Sequence, residues 1–383
     1  MQFSMRIISK NFIENEIKNV GFSADYLEIG LNKHKFLSLK VENLRAVEAN
    51  ILKQTALSCS CDCAVHRNCI DCKVEHSDCI LSGTISQLIN VSKKLRVQPF
   101  SMSRLSDDIL KQIICSKNFA KSKIMGILNL TSDSFSDGGE FLEFNAAFRH
   151  AELMIEQGAG IIDIGSESTR PKSLPVEEDI QAERILPVVE FLKKNHPDIL
   201  LSVDTRSSKV ANLVLEAGVD IINDVSGLKY DKNMAKTLCK YNCDVVIMHS
   251  RSTPYDMDDY CNYKNLVDDV YLELKKQCDY ALGEGIKPER IIIDVGFGFA
   301  KNYEQNFELM ARIEEFKSLG YRILAGVSRK RFLQECCGAK TPKDADEITA
   351  LSSAYFALKG IDYIRVHNVE KSLSAIKFAQ ALR

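Results

Sequence analysis

One phrase recurs through the second two-thirds of this 383-residue chain: a helical pattern running down to a glycine or asparagine, a short bridge, three or four apolar residues, then a polar one. It reads EQGAGIIDIGSE, EAGVDIINDVSG, KYNCDVVIMHS and LKGIDYIRVHN. Short apolar runs bounded by turn residues and separated by helical periodicity are the pattern of buried parallel strands joined by crossover helices. Completing the series predicts eight strands, at 122–129, 161–165, 200–204, 220–225, 244–249, 290–295, 322–327 and 362–367. Helices lie between and after them. In FNAAFRHAELMI, for instance, Phe144, Ala147, Phe148, Ala151, Met154 and Ile155 fall at helical spacing, and Gly158 stops the run. Eight such units predict an α/β fold of the (β/α)8 TIM-barrel class, with a doubly wound sheet as the alternative.

The repeat begins only after residue 118, so two domains are expected: 1–118, a small N-terminal α/β accessory domain, and 119–383, the barrel. In the first, KHKFLSLKVEN and DCILSGT read as strands. LRAVEANILKQTAL reads as a helix with Leu44, Val47 and Ile51 on one face, and ISQLINVSKKL as another. A net charge of −2 gives no global pull toward nucleic acid. The start MQFSMRIISKNF lacks the apolar core of a signal peptide, and no run approaches the ~18 apolar residues of a membrane span, so a cytoplasmic protein without a membrane partner is expected. Thirteen cysteines, an odd number, argue for reduced thiols rather than a disulfide framework.

The polar residues of the barrel gather at one end of its predicted strands. Asn129 ends the first, Asp163 and GSESTRP end and follow the second, and Asp204 ends the third. Asn223 and Asp224 end the fourth, His249 the fifth and Asp294 the sixth. Ser328 to Arg331 follow the seventh, and Arg365 and His367 sit in the eighth. In a barrel these ends meet at the C-terminal mouth. Arg170, Lys330, Arg365 and His367 suit a phosphate anion, whereas Asp204, Asn223 and Asp294 suit a polar heterocycle with N–H donors. Asn129 could lend one oxygen to a Mg2+ held mostly by substrate phosphates. The stretches TSDSFSDGGE and GSESTRPKSLP exceed the roughly 2–6 residues of a plain connector, which suggests loops that close over a substrate. DVGFGFAKN lacks the strand-to-helix nucleotide motifs, and its glycines read as backbone clearance at the mouth.

In order and spacing, MGILNLTSDSFSDGG, IIDIGSESTRP, SVDT, IINDVSG, IIIDVGFGFAKN, AGVSRK and IRVHNV resemble the motif series of the dihydropteroate synthase family, over residues 122–383. The resemblance implies a transferase that condenses 6-hydroxymethyl-7,8-dihydropterin diphosphate with 4-aminobenzoate, using Mg2+, in a homodimeric enzyme. It implies that Asp204, Asn223, Asp294 and Lys330 hold the pterin, with Asp204 also stabilising a cationic intermediate. Asn129, Arg365 and His367 would bind the diphosphate and its Mg2+, and Arg170 would enter on the second loop. Phe135, Thr169 and Pro171 would help form the aminobenzoate pocket. Asp204, Lys330, Arg365 and His367 form the expected catalytic set. Ser132 and Val295 stand where the family usually has proline, and Arg331 where it usually has a serine that helps hold the aminobenzoate carboxylate. A methyltetrahydrofolate-dependent methyltransferase has a similar barrel but no diphosphate to bind, so Arg170, Arg365 and His367 count against it. A non-catalytic pterin-binding protein is the other alternative.

The resemblance does not reach the N-terminal stretch SCSCDCAVHRNCIDC, residues 58–72. There Leu57, Cys59, Cys61, Cys63 and Val65 alternate with polar or small residues, which predicts the thiols along one face of a strand. Same-face neighbours on a strand sit ~6.6–7 Å apart, too far for two thiolates on one zinc, whose sulfurs can be at most ~4.6 Å apart. Only Cys69 and Cys72, with His66 and His76 near, have knuckle spacing, and the expectation is a core strand rather than a zinc site.

Overall fold

A computed structural model describes residues 4–117, 119–130, 140–167, 175–251 and 257–382. The chain divides into two compact units, Met1–Asn118 and Phe119–Arg383.

The first unit holds an antiparallel sheet of β1 (Phe36–Arg45), β2 (Asp62–Val65) and β3 (His76–Thr84), in the order β1-β3-β2. Helices Ala46–Leu57, Ile85–Leu95 and Met102–Cys115 supply the rest of its core, in which Leu52, Leu81, Leu88, Leu95, Met102 and Ile109 are buried. The Ile85–Leu95 helix starts where Thr84 caps the Gln87 amide. Two expectations are corrected. The buried stripe of the first of these helices is Ala46, Ala49, Leu52 and Ala56, not Val47, which is 46% exposed; Leu44 belongs to β1. The period-two stretch is also not one strand. The helix runs on to Leu57, residues 58–60 turn with Ser60 at φ +59°, and only Asp62–Val65 pairs in the sheet. The alternation is therefore coincidental before residue 61, although Cys61 and Cys63 do face the core.

The second unit is a closed barrel of eight parallel strands: β4 (Lys123–Asn129), β5 (Ile161–Gly165), β6 (Leu200–Asp204), β7 (Ile221–Asp224), β8 (Asp244–Met248), β9 (Ile291–Asp294), β10 (Arg322–Ala325) and β11 (Tyr363–Val366). They pair in chain order, and β11 closes on β4. Each predicted segment contains one of them, and the doubly wound alternative is excluded. Outward-facing Ile162, Leu201, Ile222 and Val245 meet helix residues such as Ile185, Val210, Leu238 and Leu309.

Inside, Met125, Ile161, Leu200, Ile221, Val246, Ile292, Leu324 and Tyr363 form an apolar plug with one residue from each strand. Because side chains alternate along a strand, residues two and four places further on face the same interior. Two places on lie Asp163, Ser202, Asn223, Met248, Asp294 and Arg365; four places on lie Asn129, Gly165, Asp204, Ser328 and His367. The barrel is thus apolar at its floor and polar toward its C-terminal mouth, so one period sets both the core and the site.

Candidate active site

Strand register brings the predicted residues together. Asn129 pairs across from Gly165, Gly165 from Asp204, and Asp204 from Asn223. Gly165 leaves room for this approach, since a Cβ there would lie 3.4 Å from the Asp204 Cβ and 3.8 Å from Asn129 Oδ1. Asn129 itself is exposed at the rim.

Arg365 ties two carboxylates together. Its Nε donates to Asp163 Oδ2 at 2.6 Å and its Nη2 to Asp204 Oδ2 at 3.2 Å, while Asn223 Nδ2 donates to the same Asp163 oxygen at 3.2 Å. Asp163 is fully buried, and its Oδ1 has no hydrogen-bond partner among the described residues. Burial pushes the Asp204 carboxyl up to about 7 against the opposing pull of Arg365. Asp294, 7% exposed, is raised by burial too, although its Oδ1 accepts the Gly296 amide at 2.8 Å. Carboxylates in this state can accept N–H groups from a heterocycle at little further desolvation cost.

Lys330 lies opposite. Its Nζ donates to the Phe297 carbonyl and stands 4.2 Å from the centre of the Phe299 ring. Burial lowers the ammonium to about 8, and Asp294 works the other way. The preceding Arg329 adopts a left-handed φ of +56°, which a long side chain disfavours. Its guanidinium is held by Asp346 at 2.7 and 2.9 Å, and this pins the turn. On the other side of that turn, Ser328 Oγ accepts the His367 amide at 3.1 Å and lies 2.9 Å from His367 Nδ1. Either group can donate in that contact, which fixes the orientation of the ring.

Asp204, Asn223, Asp294, Lys330, Arg365 and His367 therefore converge. Phe135, Thr169, Arg170 and Pro171, like Ser132, lie outside the described residues. Glu167, the last described residue before that second loop, is held by Arg206 at 3.2 and 2.7 Å. Sequence patterns do not reveal the pairing of Asp163 with Arg365, the Ser328–His367 bond, or Phe299 beside Lys330. Asp163 stands out as a strand end, but a contact across 202 residues leaves no local signal. Among the described residues no group of three or more His, Cys, Asp or Glu side chains is arranged to hold a metal ion.

The family model described as "Pterin binding enzyme" matches residues 125–367 of this chain. The chain belongs to the pterin binding enzyme family. Within that family, the dihydropteroate synthase of Clostridium beijerinckii is 40% identical over 272 residues, covering 70% of this chain and 98% of its own length. A protein of Halobacterium salinarum named "Probable bifunctional folylpolyglutamate synthase/dihydropteroate synthase" is 35% identical over 398 residues; that match covers 98% of this chain and 48% of the longer protein. Among solved structures, the dihydropteroate synthase of Clostridium difficile, crystallised in the presence of pteroic acid, matches with a TM-score of 0.65 and 40% identity over 69% of this chain and 98% of its own. This pterin-binding barrel is thus that of a dihydropteroate synthase, a transferase of folate biosynthesis. The clostridial relatives cover the barrel, whereas the haloarchaeal one is matched through the N-terminal unit as well.

Proposed function

We propose that the mouth of this barrel joins 6-hydroxymethyl-7,8-dihydropterin diphosphate to 4-aminobenzoate, releasing diphosphate and 7,8-dihydropteroate. The observation that carries the assignment of roles is the cluster of acceptors Asp163, Asp204 and Asp294, gathered with Asn223, Lys330 and Arg365 at the C-terminal mouth of the barrel. Asp204, Asn223, Asp294 and Lys330 hold the pterin. As the C–O bond to diphosphate breaks, its electron pair leaves with the diphosphate and positive charge grows on the pterin methylene. The Asp204 carboxylate faces that charge. The amine nitrogen of 4-aminobenzoate then forms the new C–N bond with its lone pair and passes its extra proton to water or the released diphosphate. Arg365 and the His367 imidazole bind the departing diphosphate.

An amide oxygen at the rim fits a Mg2+ that takes most of its ligands from phosphate and water, so Asn129 is the protein ligand assigned to it. When bound, the ion would neutralise charge on the leaving diphosphate. Arg170 joins the diphosphate side, and Phe135, Thr169 and Pro171 the aminobenzoate pocket, on the strength of their motifs. Arg331, exposed at the start of helix Arg331–Cys337, stands where a carboxylate-binding serine is usual. Arg331→Ser should change the affinity for 4-aminobenzoate in titrations, and identical constants would remove Arg331 from that pocket. Leu351 and Phe378, 66% and 65% exposed on the last two helices, offer an apolar surface for the homodimer.

The deciding experiment measures diphosphate release from the dihydropterin diphosphate and Mg2+, with and without 4-aminobenzoate. Amine-dependent release is expected. Tight pterin binding without release would instead mark a non-catalytic pterin-binding protein.

A further inference from the structure

In the loop that follows β9 lies a buried cation that the roles above do not use. Lys301 is 7% exposed and turns its ammonium into the loop after β9. Nζ donates to the Gly296 carbonyl at 3.0 Å and the Phe299 carbonyl at 2.9 Å, and lies 3.0 Å from His249 Nδ1. Burial lowers this ammonium to about 7, with Asp294 working the other way; it has three N–H donors, and here each meets one acceptor. His249 is fully buried; its surroundings, burial first and the Lys301 charge second, push it down to about 3, so the ring is neutral. Nδ1 can then accept from Lys301 while Nε2–H donates to Glu273 Oε2 at 3.0 Å. Arg251 holds Glu273 in turn, with Nη2 2.6 Å from Oε1.

The loop so gripped has an unusual backbone. Gly296, Gly298 and Ala300 take φ of +69°, +72° and +51°, so left-handed residues alternate with ordinary ones and the peptide groups point in different directions. Each is collected separately. Lys301 takes the carbonyls of Gly296 and Phe299, and Lys330 takes that of Phe297. Tyr263 Oη donates to the Ala300 carbonyl at 2.9 Å, and Asn306 Oδ1 accepts the Gly298 amide at 2.7 Å. The same loop holds Asp294 through the Gly296 amide and places the Phe299 ring beside Lys330.

We propose that Lys301, clamped by His249, is a positioning residue for pterin recognition: it fixes the 295–300 loop and through it the geometry of Asp294, Phe299 and Lys330. This rests on the pterin assignment above. A neutral side chain in its place would leave two loop carbonyls and an imidazole nitrogen without donors, and the loop would lose the shape that sets those groups.

The test compares Lys301→Met, His249→Gln, His249→Leu and Tyr263→Phe, each checked by circular dichroism and thermal melting. In folded Lys301→Met, the Kd and KM for the dihydropterin diphosphate should rise about 10²-fold, the scale of an ångström-level misplacement, while the 4-aminobenzoate KM stays within about threefold. His249→Gln keeps an acceptor and a donor and should retain most of the pterin affinity, whereas His249→Leu should lose it; Tyr263→Phe should show a smaller loss of the same kind. Wild-type pterin affinity in folded Lys301→Met, or an equal rise in both KM values, would overturn the proposal. Should Lys301→Met not fold, equal pterin affinities in His249→Gln and His249→Leu would do the same. A wild-type protein that binds the pterin yet releases no diphosphate with the amine breaks the functional reading, and the affinity comparison still decides this one.

Discussion

Cys63 in the N-terminal unit and Asp163 in the barrel are both shut away from water, at 1% and 0% exposure, but only the carboxylate needs a partner to be there. The thiol behaves as a small apolar side chain and packs with Cys61, Cys69, Cys79 and Leu81 in an ordinary core. Burial pushes its neighbour Cys61 up to about 11, which keeps that sulfur protonated and unreactive. The barrel instead buries Asp163 and Asp204 against Arg365, a set of charges that hydrophobic packing alone would not retain. Conspicuous composition and function can thus lie in different units. Three of the five cysteines in fifteen residues, Cys61, Cys63 and Cys69, go into a core, while isolated polar residues scattered through the chain make a site.

The largest difference between the units should appear on removing Arg365. Arg365→Ala strips the cation from two buried carboxylates, and by the usual cost of breaking a buried pair it should destabilise the barrel by about 3–5 kcal/mol in chemical denaturation. Turnover should fall with it. An effect no larger than that of a core-thiol substitution would erase the contrast.

Next come the groups that meet the pterin. Asp294→Ala and Lys330→Ala should each cost about 3–4 kcal/mol in the barrier, the range for a lost preorganised electrostatic contact, and should sharply weaken pterin binding in equilibrium titrations. Normal pterin affinity in both variants would move the heterocycle elsewhere in the barrel.

The eight strands and their shared mouth are legible in the order of residues alone, because one pleat period sets both which residues fill the plug and which polar residues rise above it. Partners far apart in the chain are not. Nothing local in IIDIG announces that Asp163 meets Arg365, and Lys301 reads as the end of a glycine-rich connector until the carbonyls of that connector are seen to converge on it. The cysteine stretch shows the opposite failure: its alternation is a real pattern of residues, but a helix that continues to Leu57 consumes the first residues of the supposed strand.

A smaller effect belongs to the barrel and follows pH. Burial raises Asp204 to about 7, so below that value the carboxylate is neutral and cannot face the pterin cation; kcat/KM should rise as pH increases through 7. Burial lowers Lys330 to about 8 and Lys301 to about 7, so above those values the ammonium groups are lost and kcat/KM should fall. Replacing Lys330 by arginine, whose guanidinium stays charged, should carry its share of the alkaline limb upward in whatever activity remains. A profile flat from about pH 6 to 9 would show that none of these groups limits the free enzyme.

The smallest effect on activity belongs to the cysteine stretch. The turn holding Cys69 and Cys72 is held by hydrogen bonds: the Cys69 amide donates to the His66 carbonyl at 2.9 Å, the Lys73 amide to the Asn68 carbonyl at 3.1 Å, and Asn50 Nδ2 to the Cys69 carbonyl at 2.8 Å. Cys69 is fully buried, while Cys72 is exposed with a φ of +53°, so the two thiols serve different environments. Cys63→Ser, which keeps a small polar group beside Cys79, should therefore cost at most the ~1–3 kcal/mol of burying a hydroxyl, with kcat unchanged. A chelator should leave the N-terminal unit folded. One tightly bound zinc per chain in metal analysis, lost together with the structure of that unit on chelation, would show that its cysteines do the work of ligands rather than of a core.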